Sequence, residues 1–223
     1  MPNWCLTSII FYSKDKARLA QMAMDFVNII KSQPVRKTDF GNGWMGNFAH
    51  HYFPNEDLDT FDIRGEVVDV SCSGDIEYLG EQSGYSYFTI TTSTAWSPKV
   101  GLWYHIAKKY GDVRVAYCSE ETGGGEFYKW DPEGIFVPEW YYFDACIRDK
   151  DGNVNYTEDY RYVSCVDDIL HWLDEHCSFD FEHYTIIEML EEEINKHLGD
   201  DEFCTIAKFA VEDASQYQWR DKK

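Results

Sequence analysis

The order in which strand-like and helix-like segments follow one another restricts the fold of this chain more than any other feature. Residues 6–12 are rich in β-branched and aromatic side chains, which predicts a strand. Residues 14–31 repeat apolar side chains at helical spacing after Ser13, which predicts a helix. Val and Cys alternate with polar residues over 66–73, and Thr and aromatic residues dominate 85–95, so both stretches are predicted strands.

A second helix and a fourth strand complete this order. Ser97 and Pro98 predict a helix start, with Ser97 as the N-cap and Pro98 at the first helical position. Residues 113–118 predict the next strand. The order β-α-β-β-α-β folds into a four-stranded antiparallel sheet with two helices on one face. The sequence therefore predicts an α+β, ferredoxin-like arrangement, interrupted at 34–64 by either a packed loop or an inserted subelement.

The second half of the chain differs from the first in its charge. Residues 1–118 contain 13 acidic and 11 basic side chains, whereas residues 119–202 contain 24 acidic and 5 basic ones. Further strands are predicted at 126–130, 140–148 and 156–164, and helices at 166–176, 184–198 and 202–214. We therefore predict a ferredoxin-like domain over 1–130, including the insert, and an acidic strand-and-helix extension over 131–223 that packs on it.

The composition indicates a folded protein of the reducing cytoplasm. Apolar residues make up 44% of the chain and aromatic residues 17%, which is ample for a packed core. The seven cysteines are scattered without a C-x-x-C pair, so they predict neither a disulfide framework nor a zinc site. The first residues lack a basic signal-peptide region, and no stretch approaches the roughly 18 apolar residues of a membrane span. We expect a cytoplasmic protein without a cofactor or a metal.

Three short segments occur in an order that is recognisable. They are MPNWC at 1–5, FTITTSTAWSP at 88–98, and AYCSEE at 116–121 followed by three glycines and Phe127. Together they resemble the YubB ferredoxin-like family, which is found on phages and plasmids. The resemblance covers about residues 1–130. It implies a ferredoxin-like fold without an iron–sulfur cluster and a mobile-element context, but no chemistry.

Several motifs have the composition of a catalytic or ligand-binding site. Cys5, Glu120 and Glu121 are candidate catalytic residues, but no His and acid partner for a nucleophile is visible. The glycines at 123–125 are flanked by Glu and lack a Lys, which favours a hairpin connection over a phosphate loop. The Gly in 149–153 is out of place for a calcium loop, which favours a plain turn. We therefore predict a non-enzymatic protein.

The predicted helices of the extension carry acidic residues on their outer faces. These residues are Asp167, Asp168, Asp174, Glu175, Glu188, Glu191, Glu192 and Glu193. One interpretation is a solvated face that promotes solubility, and the other is a surface that binds a basic protein partner. The same charge argues against direct binding of duplex nucleic acid. The hypothesis that we favour is a phage or plasmid accessory protein, such as an acidic inhibitor of a basic nucleic-acid-handling host protein.

An alternative function places a small molecule or nucleotide in the insert. Trp44, Phe48 and Tyr52 would form an apolar wall, with His50 and His51 as polar contacts. Exposed edges of a four-stranded sheet also leave open the formation of a homo-oligomer.

Overall fold

The computed structural model describes residues 3–121, 123–149, 151–157, 161–177 and 187–217, without the side chains of residues 187 and 188. The chain forms two compact units. The first unit comprises Met1–Val137 with Val211–Lys223, and the second unit comprises Pro138–Ala210. The second unit is therefore an insertion between two segments of the first, which differs from the predicted division at residues 130 and 131.

The first unit is built on a seven-stranded sheet. Its strands are β1 (Trp4–Ser13), β2 (Gly65–Val70), β3 (Gly80–Gln82), β4 (Tyr85–Ala95), β5 (Arg114–Glu121), β6 (Glu126–Trp130) and β11 (Ala210–Val211). They lie in the order β11-β6-β5-β1-β4-β2, and β3 also pairs with β4. The central strand β1 pairs antiparallel with β4 along all ten of its residues and with β5 along eight. Strands β2 and β6 extend this antiparallel arrangement on either side.

Three α-helices belong to the described part of the first unit: α1 (Lys16–Lys31), α2 (Met45–Tyr52) and α3 (Val100–Lys108). Helix α1 starts after an Asp15 N-cap, whose carboxylate accepts a hydrogen bond from Arg18 N at 3.1 Å. Helix α2 shows that the insert contains a subelement of its own. A periodic pattern does not reveal this helix, because it is only eight residues long and buries six of them.

The start of α3 corrects the predicted cap. The N-cap is Lys99 and not Ser97, and the helix begins at Val100. The chain first turns at Trp96, which has a φ of +73° and donates its backbone N–H to Asn3 O at 2.9 Å. The Ser97 hydroxyl accepts from Lys99 Nζ at 3.1 Å, so a side chain occupies it instead of the helix terminus.

The core of the first unit lies between one face of the sheet and its helices. In β1 the side chains of Ile9 and Phe11 are fully buried, as strand alternation requires. The Phe26 ring of α1 lies at the centre of an aromatic cluster, with centroids 5.4 Å from Phe11 and 5.2 Å from Phe48. The rings of Phe88 and Trp103 are also within 6 Å, at 5.8 and 5.7 Å. The insert therefore contributes to the main core through α2.

Lys129 in β6 is hydrogen-bonded to both segments of the first unit that connect to the inserted unit. Its side chain is 4% exposed, and its ammonium donates to Val137 O at 2.8 Å. Its backbone oxygen accepts from Glu212 N at 3.0 Å. Because these two bonds meet at one residue, the two connections to the inserted unit lie close together on β6.

The described part of the second unit has a four-stranded sheet and two helices. The strands are β7 (Tyr141–Arg148), β8 (Val154–Tyr156), β9 (Tyr162–Val163) and β10 (Phe203–Lys208), and the helices are α4 (Val166–His176) and α5 (Ile187–His197). Strand β7 is central, since β10, β8 and β9 all pair antiparallel with it. Phe143, Ala145 and Ile147 point from β7 into a core shared with both helices.

Two predictions for this region have contrasting outcomes. The helix predicted at 166–176 is confirmed as α4. The helix predicted at 202–214 is wrong, because strand β10 occupies its first half. Cys204 and Ile206 are buried while Phe203 and Thr205 are exposed, and this period of two belongs to a strand. The protein is thus a mixed α+β chain with two mostly antiparallel sheets. None of its described helices is long and apolar enough to cross a membrane.

Candidate partner-binding surface

The second sheet has one face directed away from its helices, and aromatic side chains cluster on it. We call the side chains of Tyr142, Tyr156, Tyr162 and Phe203 the aromatic face. Tyr156 and Phe203 lie opposite each other across Cys146 of β7, and they are 60% and 43% exposed. Tyr162 is 46% exposed and lies opposite Tyr142, with ring centroids 5.8 Å apart. The two rows stand four residues apart on β7, about 13 Å.

A carboxylate at the centre of the aromatic face is neutralised within the unit. Asp144 lies between the two rows on β7 and forms an ion pair with Arg161 at 3.5 Å. It also accepts hydrogen bonds from Tyr142 Oη and Thr157 Oγ1, both at 3.2 Å. The centre of this face therefore carries a carboxylate whose charge and hydrogen bonds are matched within the unit, between two rows of aromatic side chains. Such a composition is typical of interfaces.

The acidic residues of α4 differ in their availability. Asp168 accepts from Ser164 Oγ at 3.3 Å, and hydrogen bonds from Cys165 and Ser164 lower the pKa of its carboxyl. Glu175 lies 3.3 Å from His171 Nε2. Asp167 and Asp174 are exposed and have no ion pair or hydrogen bond within the described residues. These two are the carboxylates of α4 that remain free for a partner.

The acidic residues of α5 are largely occupied inside the unit. Glu192 and Glu193 form ion pairs with Lys196 at 3.3 and 3.1 Å, and the hydrogen bond from Lys196 lowers the pKa of the Glu193 carboxyl. Glu191 is half-buried and accepts from Ile206 N of β10 at 2.8 Å. It therefore does not belong to the outer face on which the sequence placed it. The side chain of Glu188 lies outside the described part of the chain.

Helix α5 uses polar side chains to cover the free edge of β10. Asn195 donates to Cys204 O at 2.7 Å and accepts from Cys204 N at 3.0 Å, while Glu191 takes the next outward N–H. An uncovered edge strand offers a template for pairing with another chain. These bonds therefore occupy the outward backbone groups of Cys204 and the N–H of Ile206, which leaves them unavailable for pairing with another chain.

The aromatic residues predicted as a ligand wall in the insert are core residues instead. Trp44, Phe48 and Tyr52 are 6%, 0% and 9% exposed, so they line no open site. His50 and His51 are exposed on the opposite side of the short helix. The physical reason is that α2 turns its apolar face onto α1, so the rings pack in the core, and among the described residues only the His51 ring touches one of them, Tyr52, at a centroid distance of 4.8 Å. The predicted combination of wall and polar contacts does not form.

The candidate nucleophile Cys5 is fully buried. Its Sγ lies 2.9 Å from Ser119 Oγ, which lies 2.7 Å from Thr7 Oγ1. Burial raises the pKa of the Cys5 thiol, because removal from water disfavours the thiolate. A buried thiol held as a hydrogen-bonded neutral group is a poor nucleophile. The geometry thus assigns Cys5 a packing role.

The Glu121 side chain occupies the backbone N–H groups that a phosphate would need in the glycine-rich connection. The Glu121 carboxylate accepts from Gly123 N at 3.0 Å and from Gly124 N at 2.7 Å. Glu121 is 4% exposed. Since an anion of the chain already binds these N–H groups, a phosphate would meet both repulsion and filled donors.

The turn between β7 and β8 matches its prediction as a plain hairpin connection. Asp149 accepts from the backbone N–H groups of Asp151 and Asn153, both at 2.9 Å, and Gly152 has a φ of +83°. Its carboxylate is consumed by the turn rather than presented to a cation. No group of three or more His, Cys, Asp or Glu side chains in the described residues is placed to hold a metal.

Cysteine reactivity provides a simple test of these assignments. Cys165 is exposed, whereas Cys5, Cys177 and Cys204 are buried. Burial raises the pKa of Cys177 to about 12 and also raises that of Cys204. We expect brief alkylation with iodoacetamide at roughly pH 8 to modify Cys165 first, because thiolate fraction and access set the rate. Peptide mass mapping over time measures the order.

The matched variant for this experiment is Cys165→Ser. It should remove the fast modification and leave the slow ones unchanged. Modification of Cys5 as fast as that of Cys165 in the native protein would contradict its assignment as a packing residue.

Comparisons with known proteins identify no relative. No protein-family model, no curated protein and no solved structure matches the chain. The resemblance of residues 1–130 to the YubB ferredoxin-like family therefore stays a prediction, and the function has to be argued from the geometry.

Sequence reasoning missed the aromatic face, although a signal for it exists. Tyr142 of β7 and Phe203 of β10 each lie on a strand whose other face carries apolar side chains, and Tyr156 ends the neighbouring strand β8. Aromatic residues on both faces of short strands are consistent with either a two-sided core or an exposed surface. The structure distinguishes these two cases, because both helices pack on one face of the second sheet and leave the other face exposed.

Proposed function

We propose that this chain is a non-enzymatic accessory protein of a phage or plasmid that binds a basic protein through its second unit. The observation that carries the proposal is the aromatic face, where Tyr156, Tyr162 and Phe203 are each more than 40% exposed. Aromatic side chains in the centre of an interface contribute most of its binding energy. A sheet holds them in place before binding, which reduces the entropic cost of association.

The charge of the second unit selects the class of partner. Residues 138–210 contain 19 acidic and 5 basic side chains, a net charge of −14. Such a field accelerates encounter with a positively charged protein and repels duplex nucleic acid. Proteins that hold nucleic acid present basic surfaces. A nucleic-acid-handling host protein, inhibited by occupation of its basic surface, is the partner that we propose.

The first unit acts as a scaffold in this proposal. Its central strands in the order β5-β1-β4-β2, with α1 after β1 and α3 after β4, support the ferredoxin-like fold that the resemblance implies. Strands β3, β6 and β11 add to this arrangement. The mobile-element context rests on the resemblance alone. The burial of Cys5, and the two backbone N–H groups that the Glu121 carboxylate already accepts from, weigh against a catalytic role for either residue.

Affinity capture with matched variants tests the proposal. We expect the 223-residue chain to retain a basic host protein at roughly 50 mM salt and to release it near 500 mM, because screening removes the steering charge. The double variant Tyr156→Ser, Phe203→Ser should weaken binding of that protein about tenfold by losing two aromatic anchors. Surface plasmon resonance on the purified pair measures both effects.

Tyr78→Ser is the control for loss of an exposed aromatic side chain, since Tyr78 is 66% exposed and lies in the first unit. It should leave the affinity unchanged. Asp167→Asn with Asp174→Asn should reduce the association rate and its salt dependence more than the dissociation rate. Retention of acidic proteins only, or equal binding by the wild type and the double aromatic variant, would contradict the proposal.

A further inference from the structure

The first unit contains a cavity of about 300 Å³ beside the end of α3. Its lining comes from α3, the start of β5, the end of β6, residues 132–133 and the turn at Ala214–Gln216. Small-molecule sites have volumes of roughly 300–1,000 Å³, so this cavity lies at the lower end of that range. It has room for one ring system with a short substituent.

The wall of the cavity is apolar and partly aromatic. Val113 and Val115 are 3% and 4% exposed, and Ala107 of α3 is 1% exposed. Trp130 of β6 and Tyr104 of α3 add half-buried rings to this wall. Flat side chains beside branched aliphatic ones favour a planar, apolar ligand group, since aromatic rings pack with them in stacked or edge geometry.

The charged side chains that line the cavity differ in whether they have a partner. Arg114 and Glu133 form an ion pair with each other. Asp213 accepts from Ser215 N at 2.8 Å, as the cap of the turn. The ammonium of Lys108 lies 5.1 Å from the centroid of the Tyr104 ring and pairs with no carboxylate of the described residues. Lys108 is therefore the charged side chain of the lining that has neither an ion pair nor a hydrogen bond among the described residues, and it lies beside aromatic rings.

We propose that this cavity binds a small aromatic carboxylate. The ring of the ligand packs against Val113, Val115 and Trp130, and its carboxylate pairs with Lys108. A charge-assisted hydrogen bond to an ammonium is about twice as strong as a neutral one, so the anionic group adds to the binding of the ring. Binding here is independent of the aromatic face and of the partner proposed for the second unit, because every lining residue belongs to the first unit.

Three probes that share a ring and differ in charge test this proposal: indole-3-acetate, the neutral 3-methylindole and the cationic tryptamine. We expect indole-3-acetate to raise the midpoint of thermal unfolding and to bind at least about tenfold more tightly than the other two. Isothermal titration calorimetry on the 223-residue chain measures the affinities. Equal affinity for all three probes, or no binding of indole-3-acetate at concentrations up to about 5 mM, would overturn the proposal.

Two neighbouring lysines allow a matched comparison. Lys108→Gln should weaken indole-3-acetate binding about tenfold by removing the ion pair. Lys109→Gln removes the same charge one residue further along, outside the cavity, where Lys109 Nζ lies over the Phe53 ring at 4.4 Å. It should leave the affinity unchanged. Equal effects of the two variants would show a general charge effect instead of a site.

Filling the cavity gives a second, independent variant. Ser215 lines the cavity with an exposed side chain, so Ser215→Phe places a ring there without removing a core residue. We expect this variant to keep its fold, as judged by its unfolding midpoint, and to lose binding of indole-3-acetate. Unchanged binding by a folded Ser215→Phe variant would place the ligand elsewhere and overturn the proposal.

Discussion

Replacing Phe26 with alanine is expected to lower the free energy of unfolding by about 3–5 kcal/mol. The Phe26 side chain is fully buried in α1, and its ring contacts Phe11 and Phe88 from the sheet, Phe48 from α2 and Trp103 from α3. Its removal leaves a cavity where five secondary-structure elements meet: α1, α2, α3, β1 and β4. Because a typical domain has a stability of about 5–15 kcal/mol, this one change removes a large part of the total. Urea unfolding followed by circular dichroism measures it.

The control for this variant is Tyr78→Ala, which removes an aromatic side chain that is 66% exposed. Surface substitutions of this kind change stability by no more than about 0.5 kcal/mol. A Phe26→Ala variant as stable as Tyr78→Ala would mean that the insert does not complete the core through α2. That result would also reopen the insert as a ligand site.

Replacing Gly74 with alanine is expected to lower the free energy of unfolding by about 2–4 kcal/mol, from backbone strain and overpacking together. Gly74 has a φ of +98°, in the left-handed region that a residue with a Cβ avoids. An added Cβ would also lie 2.7 Å from Met24 Cα of α1, and a helix backbone cannot move aside cheaply. Equilibrium unfolding in urea measures the loss.

Gly84→Ala separates these two causes. Gly84 has a φ of +80°, but no atom lies within 4 Å of an added Cβ. The alanine variant would therefore have backbone strain without a steric clash. Its variant should lose only about 1–2 kcal/mol. Equal losses for Gly74→Ala and Gly84→Ala would show that the chain around Gly74 does not pack closely on α1.

Element types in the first unit could be predicted where a period is long enough to read. Strand β4 has the predicted bounds, because eleven residues alternate between buried and half-buried positions. Strand β5 runs three residues beyond the predicted end at Cys118. Its final residues Ser119, Glu120 and Glu121 are polar, and they pair with Thr7, Leu6 and Cys5 of β1. Polarity predicts an end to a strand, whereas pairing with a neighbour continues it.

The acidic residues of α4 and α5 show that sequence patterns also fail to predict which side chains have partners in the folded protein. Sequence spacing placed eight carboxylates on the outer faces of two helices, and five of them prove to have partners within the unit: Asp168, Glu175, Glu191, Glu192 and Glu193. Glu191 is the clearest case, because its partner is a backbone N–H of β10, fifteen residues further along the chain. Helical periodicity identifies the side of a helix but does not show what lies beside it.

The sequence alone determined the mixed α+β class, the separation of charge between the two halves, and the types of most elements. These properties depend on composition and on local periods of two or 3.6 residues, which the chain carries without reference to its neighbours. The tertiary structure alone decided the burial of Trp44, Phe48 and Tyr52, the insertion of residues 138–210, and the exposure of Tyr156 and Phe203. Each of these depends on contacts between residues far apart in the chain. The identity of a side chain does not specify such contacts, because an aromatic ring packs equally well in a core and in an interface.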